Sequence, residues 1–169
     1  MKILKITGVI IGFVTIFLIS SLTFSGGNMK PTIEVKLLGS KNMRLAVEVI
    51  FRNEMRKPFY LYEYYFCEGG VVLSDIFSIN RIEGGLKTTV SYGGLMDFHN
   101  KNEATKDDFI KIEPNTEVSC EIIVSDYYDL RGAGEYELTY YVDNPKYRDK
   151  QPKVELKSNA INLVLPSPY

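Results

Sequence analysis

From Ile33 onward the chain alternates apolar and polar positions with a period of two, the period of a β-strand rather than a helix. Ile33, Val35 and Leu37 alternate with Glu34 and Lys36; Leu45, Val47, Val49 and Phe51 alternate with Arg44, Ala46, Glu48 and Ile50. Val118, Cys120, Ile122 and Val124 repeat the pattern against Glu117, Ser119, Glu121 and Ile123, and Tyr136, Leu138, Tyr140 and Val142 against Glu135, Glu137 and Thr139. Ile161, Leu163 and Leu165 form a last strand. One apolar and one wet face per strand is the mark of antiparallel sheet. Less regular strands are expected over 59–66, 71–79, 86–92 and 109–112, and 102–109 has room for a single helical turn. The run Phe59 to Phe66 is apolar or aromatic on both faces, as in a central strand or one whose outer face is covered or used for binding. Gly and Pro fall between these runs, at Pro58, Gly69-Gly70, Gly84-Gly85, Gly93-Gly94, Pro114, Gly132 to Gly134 and Pro145. The pattern predicts an all-β domain, an antiparallel β-sandwich of about 7–9 strands.

The first 27 residues break this pattern. Lys2 and Lys5 precede 19 uncharged residues, Ile6 to Phe24, which predict a hydrophobic helix. A basic start before an apolar run marks an export signal, whose apolar part is commonly about 7–15 residues long; crossing a bilayer as a helix takes about 20. Small residues around Ser25-Gly26-Gly27 suit cleavage, whereas the length suits a retained anchor, so 1–27 is either a signal peptide or a signal anchor. Both place residues 28–169 outside the cytoplasm, secreted, periplasmic or on the cell surface, with membrane contact through 6–24 if the segment is not cleaved.

Charge divides the same way. The whole chain carries 20 Lys+Arg and 21 Asp+Glu, a net of −1, but the two lysines of the leader have no acidic counterpart, so residues 28–169 stand at −3. An acidic domain without a basic stripe is not expected to bind nucleic acid.

Candidate chemistry is sparse. There is no paired-His helix, no Gly-x-Ser-x-Gly elbow and no Gly-rich phosphate loop with its lysine, and no cofactor or metal site is expected. The one histidine, His99, lies in a polar stretch with Asp97, Asn100, Asn102 and Glu103, followed by Asp107 and Asp108. These residues lack the ligand alternation and the glycine of a calcium loop, so a solvated loop is expected. An enzyme is the alternative, and requires Asp97, His99, Asp107 and Asp108 to converge.

Cys67 and Cys120 are the only cysteines, 53 residues apart. In an oxidising compartment they can bridge, or they can be two separately buried thiols. Among twelve tyrosines, Tyr136 follows Gly132-Ala133-Gly134 and opens an alternating strand, where immunoglobulin-like sandwiches place a tyrosine corner. Tyr64, Tyr65, Tyr127 and Tyr128 are candidates for an exposed recognition cluster, because tyrosine combines rigid contact area with a polar tip.

The order of these segments is itself informative. The hairpin Ile33–Phe51 is followed by Pro58-Phe59, Arg81-Ile82-Glu83-Gly84-Gly85, Val90-Ser91-Tyr92-Gly93-Gly94 and Phe109 to Asn115. Asp126-Tyr127-Tyr128-Asp129-Leu130, Gly134-Glu135-Tyr136 and Lys157 to Leu163 complete it. This order resembles the immunoglobulin-like β-sandwich that precedes the catalytic domain of deuterolysin-type and lysine-specific metallopeptidases. The zinc-binding His pair of those catalytic domains has no counterpart beside the single His99, so the resemblance implies a non-catalytic accessory domain. The expectation is a non-enzymatic extracytoplasmic module that binds another protein; the alternative that the resemblance suggests is an inhibitor or pro-domain-like module acting on a peptidase.

Overall fold

The computed structural model describes residues 30–41, 44–95, 104–130 and 132–166. Within them the chain forms nine strands: β1 (Thr32–Lys41), β2 (Arg44–Asn53), β3 (Phe59–Tyr62), β4 (Phe77–Glu83), β5 (Leu86–Thr89), β6 (Phe109–Ile112), β7 (Thr116–Ile123), β8 (Gly134–Asn144) and β9 (Val154–Leu165). All pair antiparallel. They make a three-stranded sheet β1-β2-β7, a four-stranded sheet β5-β4-β8-β9 and a small β3-β6 pair. Among the described residues the helical elements are single 3-10 turns, and no helix is long and apolar enough to cross a membrane. The export segment of residues 1–27 lies outside the described residues.

The period-two pattern becomes alternating burial. Leu45, Val47, Val49 and Phe51 of β2 point inward, as do Tyr136, Leu138, Tyr140 and Val142 of β8. The Phe51 and Tyr140 rings meet edge to face at 5.3 Å, so the three- and four-stranded sheets share one core. The Tyr140 hydroxyl is buried and donates to the Tyr65 carbonyl at 2.9 Å; burial holds its proton well above the usual tyrosine range. At the β4–β5 turn Gly84 and Gly85 take φ of 55° and 83°, the two positive values that a tight two-residue hairpin requires and side chains resist.

Several expected strands are shorter than the pattern suggests. Only Phe59–Tyr62 of the 59–66 run is a strand; Glu63–Tyr65 coil into a 3-10 turn. Between Phe66 and Ile76 the chain runs irregularly, with a second 3-10 turn at Glu68–Gly70, before β4 begins. The physical reason is competition: the backbone here bonds to side chains and to its own turns instead of to a neighbouring strand.

Side-chain amides take the place of missing neighbours. Tyr62 N–H donates to Asn144 Oδ1 and Asn144 Nδ2 donates to the Tyr60 carbonyl, at 2.8 and 2.9 Å. Gln151 treats Tyr60 the same way, accepting its N–H and donating to its carbonyl, both at 2.8 Å. Asn159 of β9 pairs with both backbone groups of Val35, which ties the edge of β1 to the other sheet. Asn53 is fully buried and binds the carbonyls of Lys57 and Ile112. Each amide supplies one donor and one acceptor in the spacing of a peptide group.

Tyr136 hydrogen-bonds back to the Gly132 carbonyl at 2.8 Å, closing the corner that leads into β8. Replacing Tyr136 by Phe is expected to lower the unfolding free energy by about 1–2 kcal/mol, and Asn144→Ala by about 2–3 kcal/mol because two buried backbone groups lose partners. Urea denaturation checks both; a loss at Asn144→Ala no greater than at an exposed control would contradict the edge-sealing role.

Candidate functional site

The irregular segment 66–76 is the part of the molecule where backbone and side chains are most unusually arranged, and it lies beside the edge strand β7. A disulfide joins Cys67 of this segment to Cys120 of β7, with the Cα atoms 5.6 Å apart, and the Cys67 N–H faces Cys120 Sγ at 3.2 Å. Cys67 is buried and Cys120 half-buried, because β7 has only β2 on one side. Gly70 then turns so close to β7 that an added Cβ would lie 3.4 Å from the Glu121 carbonyl.

Three tyrosines latch the rest of the segment. Tyr127 donates to the Gly70 carbonyl at 3.1 Å. The Tyr92 hydroxyl sits 2.9 Å from the Val72 carbonyl and 3.1 Å from the Leu95 carbonyl, so its proton is shared between two loops. Tyr128 donates to Asp75 at 2.7 Å and accepts the Phe77 N–H at 3.0 Å. The Tyr92 and Tyr127 rings lie parallel, 6.4 Å apart. At Gly94 a Cβ would come within 2.8 Å of the Tyr127 ring, so glycine lets the chain pass over these rings.

Because Gly70 and Val72 are held by their carbonyls, with Val72 buried, the alternate side chains of Val71 and Leu73 are turned out to solvent, 51% and 38% exposed. Leu95, brought alongside through Tyr92, is 86% exposed. The result is an apolar patch on a rigid mount. It adjoins an open groove of about 550 Å³ along β7, lined by Phe66, the disulfide, Gly69, Gly70, Ala46 and Ile123, with carboxylates at its rim.

Electrostatics follow from burial. Tyr92 has its pKa raised by desolvation, with Tyr127 and Asp75 adding to it. Tyr128 is pushed far up, first by burial and then by its bond to Asp75. Tyr62, buried beside Asp108, rises to about 12 mainly through desolvation. On the outer face of the three-stranded sheet Arg52 bridges Glu34 and Glu117 at 2.5 and 2.9 Å, and the bond from Arg52 holds the Glu34 carboxyl below its ordinary range.

The expected recognition cluster divides differently from the sequence pattern. Tyr65 and Tyr128 belong to the core and not to the surface, since both alternate positions face inward; Tyr64 and Tyr127 are half-buried. Tyr64 packs on Tyr62 and Tyr127 on Tyr92, so the pairs serve two separate places. Asp108 caps the 3-10 turn Lys106–Asp108 by accepting the Thr105 N–H, and Asp107 is exposed; Asp97 and His99 lie outside the described residues. Among the described residues no three His, Cys, Asp or Glu side chains come together as metal ligands. Tyr92, Val71, Leu73 and Leu95 had no mark in the sequence beyond the apolar run 71–73 and the Tyr-Gly-Gly of 92–94.

No protein-family model matches the chain, and no curated protein is significantly similar to it in sequence.

Removing the disulfide with Cys67→Ala and Cys120→Ala is expected to cost about 4 kcal/mol by the loop-entropy argument, or roughly 10 °C in Tm, read by thermal unfolding with and without a reductant. The buried tyrosines set an alkaline limit. Unfolded tyrosines ionise near pH ~10, whereas Tyr128 and Tyr140 keep their protons when folded. The unfolded chain then binds fewer protons, so stability is full below pH ~10 and falls above it, by up to about 1.4 kcal/mol per pH unit for each. Urea midpoints across pH 9–12 in wild type and Tyr140→Phe test this; parallel curves would contradict it.

Proposed function

We propose that residues 28–169 are an immunoglobulin-like β-sandwich that acts outside the cytoplasm as a non-enzymatic, protein-binding module, delivered or anchored by residues 1–27. Strand orders β1-β2-β7 and β5-β4-β8-β9 correspond to the A-B-E and C′-C-F-G orders of that architecture, with the β3-β6 pair as an addition. The Tyr136–Gly132 bond is the corner expected at the start of strand F. The disulfide joins the B–C connection to strand E, and not B to F as in antibody domains. Its presence favours an oxidising compartment.

The binding role rests on one observation: Val71, Leu73 and Leu95 are exposed on a segment immobilised by a disulfide and three tyrosine hydroxyls. Solvent-facing apolar side chains on a rigid mount lose little entropy on contact, which favours association with another protein.

A photo-crosslinking amino acid at Leu73 in the full-length protein tests this in cells. The expected outcome is a discrete adduct that the same probe at Leu86, on the far edge strand β5, does not form. Equal or absent adducts at the two positions would overturn the proposal. Non-reducing gels of the same material should show Cys67 and Cys120 oxidised, and a mature chain found in the cytoplasm with free thiols would overturn the location.

A further inference from the structure

The groove along β7 carries a charge arrangement that the domain itself does not use. β7 is the last strand of its sheet, paired to β2 on one side, with the groove running along the other. Ser119, Glu121 and Ile123 project from the same face of β7 at every second residue. Glu121 stands directly opposite Glu48 of β2, and Glu68 rises from the groove's other wall. Asp126 at the groove's end is held by Arg44 at 2.6 Å. Among the described residues Glu48, Glu68 and Glu121 have no ion pair of their own; the nearby Lys36 reaches Glu34 instead. Like charges set directly across a strand pair destabilise it, so the Glu48–Glu121 pairing opposes folding.

We propose that this groove receives an extended segment of the partner protein that carries lysine or arginine at alternate positions, laid along β7 with its cations over Glu48, Glu68 and Glu121. The inference rests on the protein-binding reading above and names the partner's chemistry. Three features select this occupant. The strand edge offers backbone hydrogen bonds to an extended chain, as in other strand-addition complexes. Carboxylates repeating at the strand's own spacing match cations at every second residue of a facing strand. The apolar floor of Ala46, Phe66 and Ile123 takes the aliphatic stems of those cations. No three of the acidic groups converge as for a metal ion, and the same carboxylates repel phosphate-bearing surfaces.

The test uses the full-length protein and a fluorescein-labelled peptide, Val-Lys-Val-Lys-Val-Lys-Val, with the glutamate counterpart as control. Anisotropy should show binding of the lysine peptide alone, weakening as salt rises from about 50 to about 200 mM. Glu48→Gln with Glu121→Gln should raise its Kd about tenfold or more. The same double variant should keep its Tm or gain about 1–3 °C, because repulsion is removed. A fall in Tm would mean that the carboxylates are structural, and would overturn the proposal. So would lack of lysine-peptide binding, equal binding of the glutamate peptide, or an unchanged Kd in the variant. Salt-sensitive self-association abolished by the same substitutions would assign the groove to a second copy and also overturn it. If the Leu73 adduct forms undiminished in the double variant, the protein-binding reading stands while this one fails.

Discussion

Every sheet leaves backbone N–H and C=O groups at its edges, and meeting that demand without more strands is the constraint on which this domain depends. The solution is a set of side chains that behave as detached peptide groups. Asn144 and Gln151 close β3, Asn159 closes β1 against the opposite sheet, and Asn53 holds the turn that enters β3. Unpaired, these buried groups would each cost about 1–3 kcal/mol, a sizeable part of the stability of a small domain. Two sheets and a short pair are thereby joined into one body with a common core, where Phe51 meets Tyr140.

The same device, with phenol hydroxyls for amides, produces the candidate surface. Tyr127, Tyr92 and Tyr128 reach Gly70, Val72 and Asp75, and the disulfide holds the segment at Cys67. A strand pairing would have satisfied this backbone equally well, but it would have covered the segment. Latching from one side leaves Val71 and Leu73 open. The functional surface is therefore a consequence of how the edge is satisfied, and function and fold share the same bonds.

Charge is distributed with a different logic. Arg52 between Glu34 and Glu117 stabilises the outer face of the three-stranded sheet, whereas Glu48 and Glu121 face each other without a cation. Exposed pairs of the first kind contribute little, and opposed carboxylates of the second kind cost little, so selection on folding alone is weak at both. A bound cation changes the balance at the second.

The alternation of apolar and polar residues was enough to determine an antiparallel all-β domain and the places of β1, β2, β6, β7, β8 and β9, since period-two burial is a local property of a strand. The Gly-x-Tyr context of Tyr136 marked a corner for the same reason: its bond to Gly132 spans four residues. What only the tertiary structure decided is non-local. The 59–66 run breaks into a short strand and a turn because Asn144 and Gln151, more than 80 residues away, claim its backbone. Tyr127 and Tyr128 look alike in sequence, yet one reaches Gly70 from the surface and the other is buried on Asp75. The outward turn of Val71 and Leu73, and the meeting of Glu48 with Glu121, depend on which edges come together. Such pairings are set by long-range packing and hydrogen bonds, which no stretch of neighbouring residues encodes.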